Sequence, residues 1–167
     1  MGSGYEFALT CDLKDDISQE VIDVLYMTRS SEQDYDFTTT LKHPLFTSSE
    51  DGSLGDGLDY LADWKLIISN SSSYGEESYP GIFGSVFKDR KLSIRKFVDD
   101  DTFNNTFCLL VDWLASVCYS HGFVGYYLWL MNFERNRDPV IVYFEDGQVF
   151  KKHLTHKLMP LESYLGE

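Results

Sequence analysis

The segment GFVGYYLWLMNF, residues 122–133, constrains the fold more than any other stretch. Its residues are almost all aromatic or aliphatic, and of the types that favour strands. Successive side chains of a strand point to opposite faces. Val124, Tyr126, Leu128 and Leu130 therefore share one face, and Tyr127, Trp129, Met131 and Phe133 share the other. Both sets are apolar. Such a strand belongs inside a sheet covered on both sides, and a single layer of helices supplies only one cover. The set Tyr127, Trp129, Met131 and Phe133 is the candidate interaction surface, because aromatic residues and methionine are enriched at interface centres.

The rest of the chain supplies partners for that strand. Tyr5, Phe7, Leu9, Cys11 and Leu13 alternate with more polar neighbours and predict a half-buried strand. Ser18 is a good N-cap, with Ile17 and Ile22 placed as a hydrophobic staple, and Val21, Val24, Leu25 and Thr28 form one helical stripe ending near Arg29. The run WKLIIS, residues 64–69, reads as a strand, and residues 84–97 read as a hairpin bending at Lys88 to Arg90. The clearest element is a long helix capped by Asp101 or Thr102. Phe103, Phe107, Leu110, Val111, Leu114 and Val117 repeat on it at helical spacing, and Gly122 follows as its C′ residue. PVIVYFED is a further strand, EDG a turn, and QVFKKHL a returning strand. The order β-α-β-β-β-α-β-β predicts one α+β domain over residues 1–167, an antiparallel sheet with two helices on one face. A ferredoxin-like plait with extra strands describes it best. The leading MGSG reads as a tag remnant, and residues 30–63 as a long acidic loop region.

Charge narrows the partners. The chain of 167 residues carries 27 acidic and 14 basic side chains, a net charge of −13. Such a field repels phosphate backbones, which excludes ordinary nucleic-acid binding. Ten carboxylates against Lys42 and Lys65 give −8 of that total between Glu32 and Glu77. Glu50, Asp51, Asp56, Asp59, Asp63, Glu76 and Glu77 form the candidate acidic patch, suited to a basic protein partner. No run is long and apolar enough for a membrane helix, and no signal peptide is visible at the start, so a cytoplasmic protein is expected.

Catalytic patterns are weak. Cys11, Cys108 and Cys118 lack a CxxC arrangement and read as small buried hydrophobes. His153 and His156 are three apart but sit on an expected strand end with no acidic third ligand beside them. The chain contains no GxxxxGK[ST], GxGxxG, GxSxG or HExxH pattern. No cofactor or metal is expected, and an enzyme is the less favoured reading.

HPLF (His43–Phe46), DWL (Asp112–Leu114), GFVGYY (Gly122–Tyr127) and DPVIVYFEDGQV (Asp138–Val149) together resemble a pattern found in small bacterial proteins. The resemblance implies a bacterial or phage setting and brings no activity with it. In acidity and size the chain is also similar to immunity proteins and phage-encoded inhibitors. Two functions follow as expectations. One is a non-enzymatic interaction domain, forming a homodimer through the aromatic sheet face and leaving the acidic loops for a basic partner. The other is a small-molecule-binding module, or a cryptic enzyme, with an aromatic-lined pocket.

Overall fold

The computed structural model describes residues 3–26, 38–47, 63–68, 84–131, 134–135 and 138–154. Strand β1 (Ser3–Asp12) leads into α1 (Gln19–Tyr26), followed by two short helices, α2 (Pro44–Thr47) and α3 (Asp63–Ile68). Next come the hairpin β2 (Gly84–Lys88) and β3 (Lys91–Asp99), and a helix in three consecutive pieces. Those pieces are α4 (Asp100–Thr102), a π-helical segment (Phe103–Phe107) and α5 (Cys108–Val117). Strands β4 (Gly122–Met131), β5 (Glu134–Arg135), β6 (Val140–Glu145) and β7 (Gln148–His153) complete the chain. The sheet runs β2-β3-β1-β4-β6-β7, with the two-residue β5 added beside β4. Every pairing is antiparallel. The protein is thus a mixed helix-and-strand fold on one antiparallel sheet. No helix among the described residues is long and apolar enough to cross a membrane.

The core lies between the helices and one face of this sheet. Phe7, Leu9 and Cys11 of β1, with Leu13 just beyond it, are buried there, as their alternation predicts. Helix α1 adds Val21, Val24 and Leu25 from a single stripe. Ser18 accepts a hydrogen bond from the Val21 amide at 3.4 Å, in keeping with its role as N-cap. Of the tag-like opening, Ser3 and Gly4 are described, and both lie in the sheet. Gly4 pairs with Asp99 on one side and Leu130 on the other, where an added Cβ would lie 2.4 Å from the Val98 carbonyl oxygen.

Three local expectations are corrected. WKLIIS does not form a strand: residues 63–68 are helical, and Trp64, Ile67 and Ile68 are buried at helical spacing. A short apolar run satisfies either period, and packing against the sheet decides it. The long helix is capped by Asp99, ahead of the expected Asp101 or Thr102. The Asp99 carboxylate accepts from the Thr102 amide and hydroxyl, both at 2.8 Å. The helix also ends at Val117 rather than near Gly122. Cys118 is extended, and its neighbours join the end of β1 through Lys14 N–H to Val117 O and Tyr119 N–H to Asp12 O, at 2.9 and 2.7 Å. These bonds to β1 replace further helical ones, and VCYSHG has no pattern that signals the change.

HPLF and DWL form one contact across the fold. The His43 Nδ1 accepts from the Leu45 amide at 3.1 Å and its Nε2 lies 3.0 Å from the Asp112 carboxylate, so Nε2 carries the proton and donates. Pro44 opens the helical turn and buries Leu45 and Phe46. Phe46 then meets Trp64 and Trp113 edge-on, with ring centroids 5.0 Å apart in each pair.

Both hairpin turns use left-handed backbone. Asp146 and Gly147 have φ of 51° and 74°, and Asp89 and Arg90 have φ of 52° and 61°. The first is the expected Asp-Gly turn. The second places an arginine where glycine is preferred, and the Arg90 guanidinium donates to the Lys14 carbonyl at 2.6 Å.

Candidate functional site

Register assigns the two faces of β4. Tyr5 faces Trp129, Phe7 faces Tyr127 and Leu9 faces Gly125, so these residues share the helix-covered side. Tyr127 rests against Phe103 and Phe107 of the π-helical segment, at centroid distances of 5.1 and 5.2 Å. Those two phenylalanines stack on each other at 4.5 Å. Tyr5 stacks on Phe103 at 3.9 Å and Phe7 packs on Phe107 at 5.1 Å. The π-helical segment thus presents two rings to one patch of the sheet. Burial pushes the Tyr127 hydroxyl above its ordinary pKa, with smaller contributions from Cys108 and Tyr5.

The candidate interaction residues therefore separate. Tyr127 is half-buried against the helix. Trp129 is half-buried on the same side, and Met131, at the end of β4, is 47% exposed. Phe133 lies outside the described residues. In the acidic patch, Glu50, Asp51, Asp56, Asp59, Glu76 and Glu77 also lie outside them, and Asp63 is described only as the first residue of α3.

The opposite face carries Glu6, Ala8 and Thr10 of β1, Ser93, Arg95 and Phe97 of β3, and Tyr126 and Leu128 of β4. Its centre is polar and internally bonded. The Glu6 Oε1 accepts from Arg95 Nε and a terminal Arg95 nitrogen, at 3.1 and 2.8 Å, and from the Tyr126 hydroxyl at 2.9 Å. The bond to Glu6 raises the Arg95 pKa further, and burial followed by the same carboxylate raises that of Tyr126. Thr10 and Ser93 hydroxyls lie 3.3 Å apart, and Lys91 lies 3.6 Å from Asp12.

Toward β6 and β7 this face turns aromatic. A bulge between Phe123 and Gly125 puts Val124 and Gly125 both on the core side and leaves Phe123 on the other. Gly125 is required there, because a Cβ would lie 1.9 Å from the Ala8 carbonyl oxygen. Phe123 then pairs with Tyr143, and Tyr143 pairs with Phe150, making an aromatic row across three strands. Phe123 is 62% exposed and Phe150 47% exposed, and the Phe123 and Tyr143 rings meet edge-on at 6.3 Å. Val86, on the same face at the far edge strand, is 62% exposed. Sequence reasoning missed this row. The signal was present, since Tyr143 alternates against Val142 and Phe144, and the Asp-Gly turn sets Phe150 opposite it.

A second concavity opens at the other end of β4. It encloses about 440 Å³ and is lined by Tyr5, Tyr127, Trp129, Asp138, Val140 and His153 among others. Two of the four expected interaction residues, Tyr127 and Trp129, thus line one cleft.

The cysteines differ from expectation at one position: Cys108 is exposed on α5 rather than buried. Cys11 and Cys118 are buried free thiols, and contact with Cys118, then burial, holds the Cys11 thiol well above its usual range. This opposes the thiolate that nucleophilic chemistry needs. Both ring nitrogens of His43 are engaged, as described above. Among the described residues no three His, Cys, Asp or Glu side chains converge as a metal site would require. Comparisons with protein-family models, curated proteins and solved structures returned no match.

Proposed function

We propose that the protein is a non-enzymatic interaction domain whose working surface is the sheet face opposite the helices, and that its first partner is a second copy of itself. The observation that carries this reading is the row Phe123, Tyr143 and Phe150, two exposed rings flanking a half-buried one on a face to which no described helix packs. Such residues dominate interface energetics. Electrostatics favours a second copy. By register and alternation this face carries Glu6, Asp12, Asp99 and Glu145 against Lys88, Lys91, Arg95 and Lys152, four acids and four bases, on a chain of net charge −13. Two copies meeting here bring together surfaces whose described charges balance, on a chain that is otherwise strongly acidic. Six strands about 4.8 Å apart offer roughly 25 Å by 20 Å, the same order as the ~800 Å² per partner of a specific interface.

Sedimentation equilibrium tests the reading. The protein should be a dimer at micromolar concentration, and the double variant Phe123→Asp, Phe150→Asp should be a folded monomer. A wild-type protein that stays monomeric at tens of micromolar overturns it.

The plait reading belongs with this proposal. The order β2-β3-β1-β4, with β3 antiparallel to both β1 and β2, is that of a ferredoxin-like core, which β6 and β7 would extend on the β4 side. The acidic run between Glu32 and Glu77 supports a basic protein as a further partner, in the manner of an inhibitor or immunity protein. Reversing Asp56, Asp59 and Asp63 to lysine should then abolish a salt-sensitive complex. A cytoplasmic setting is favoured by three cysteines held as free thiols.

A further inference from the structure

We infer that the cleft at the start of β1 and the end of β4 is a binding site for a small organic cation, an alkylated ammonium with an apolar body. It is distinct from the row of Phe123, Tyr143 and Phe150, none of which lines it. Three electron-rich rings, Tyr5, Tyr127 and Trp129, contribute to its wall, and Asp138 adds a carboxylate. Tyr5 and Tyr127 are fixed before any ligand arrives. Their planes meet at 62° with centroids 6.2 Å apart, and both are held from below by the Phe103 and Phe107 stack. Two walls at a steep angle, already ordered, are the arrangement that lets more than one ring face or edge meet a ligand without a further cost in side-chain entropy.

The chemistry of the lining chooses the sign of the ligand. Among the described lining residues the basic group is His153, and the acidic group is Asp138. An anion would meet a carboxylate and the negative faces of aromatic rings. A cation gains from both. The net charge of −13 adds a long-range field of the same preference. Leu128, Val140 and Leu154 complete the lining with apolar surface, so a bare metal ion or a small hydrated ammonium would leave that surface unmatched. An alkylated ammonium matches both parts. The volume of about 440 Å³ is that of a site for a small molecule rather than for a folded partner.

The test compares choline with its neutral isostere 3,3-dimethylbutan-1-ol, using amide and indole chemical-shift titrations of the ¹⁵N-labelled full chain. Choline should perturb the Trp129 indole and the amides of Tyr5 and Tyr127, saturably, and should bind about tenfold more tightly than the isostere. Trp129→Leu should weaken choline binding by about tenfold. Asp138→Asn, at an exposed position, should weaken it severalfold and serves as the reporter if the Trp129 variant fails to fold. Equal affinity for choline and the isostere overturns the inference by showing a merely apolar cleft. So do the absence of saturable shifts and unchanged binding in Asp138→Asn.

Discussion

The two faces of this sheet are built from the same strands and solve different problems. On the helix side Phe7, Tyr127, Phe103 and Phe107 lock ring against ring, and their positions are set by packing. On the other side Glu6, Arg95 and Tyr126 are set by directed hydrogen bonds, and Phe123 and Phe150 remain exposed. Close packing is intolerant of lost volume, whereas a bonded, half-wet surface tolerates truncation and retains freedom to meet a partner. One face is therefore fixed by ring packing, and the other by directed hydrogen bonds beside exposed rings.

Substitutions should separate the faces by size of effect. Phe107→Ala, which removes a ring from the stack beneath Tyr127, should cost about 3–5 kcal/mol in chemical denaturation. A loss below about 1 kcal/mol would mean that the stack contributes little to the core. Lys96 is next. It is 3% exposed on the helix side, opposite Phe7, and burial lowers its pKa to about 8. The unfolded chain keeps that proton up to about 10.4. Between those values the unfolded state binds more protons than the folded one, so stability should rise with pH, by up to about 1.4 kcal/mol per pH unit. Lys96→Met should flatten that rise and stabilise the protein near pH 7. A slope unchanged in the variant would assign it to other groups.

Smaller effects belong to the open face. Glu6→Ala should cost about 1 kcal/mol, since its partners Arg95 and Tyr126 can turn to water. A cost comparable to that of Phe107→Ala would erase the contrast between the faces. Phe123→Ser should leave stability within about 0.5 kcal/mol of wild type and act on association alone, read by the sedimentation profile. Loss of folding there would move Phe123 from the recognition surface into the core.

Much of the helix-side architecture was legible because it rests on periodicity. The alternation of β1 and the spacing of Phe103, Phe107, Leu110 and Leu114 on the long helix name residues that are buried. Turn chemistry was legible at Asp146 and Gly147. The run Trp64 to Ile68 was not, because so short a mainly apolar segment fits either period. The union of HPLF with DWL was not, because His43 and Asp112 are 69 residues apart and each motif alone carries no signal for the other. The aromatic row was hidden for a subtler reason. Strict alternation from Tyr127 backwards assigns Phe123 to the wrong face, and nothing in GFVGYY announces the bulge that moves it.

That bulge has a consequence for how this chain can change. It works as a parity switch: residues before it and after it obey opposite odd–even rules. A one-residue deletion at Val124 would remove the switch and restore regular alternation, leaving Phe123 opposite Tyr143 on the open face and costing the core one buried valine, while the rest of β4 kept its register with β1. A one-residue insertion elsewhere in β4 would instead exchange the faces of every residue beyond it. Among single length changes in this strand, the deletion at the bulge is therefore the mildest for both faces, because a change elsewhere reverses the parity of every residue beyond it.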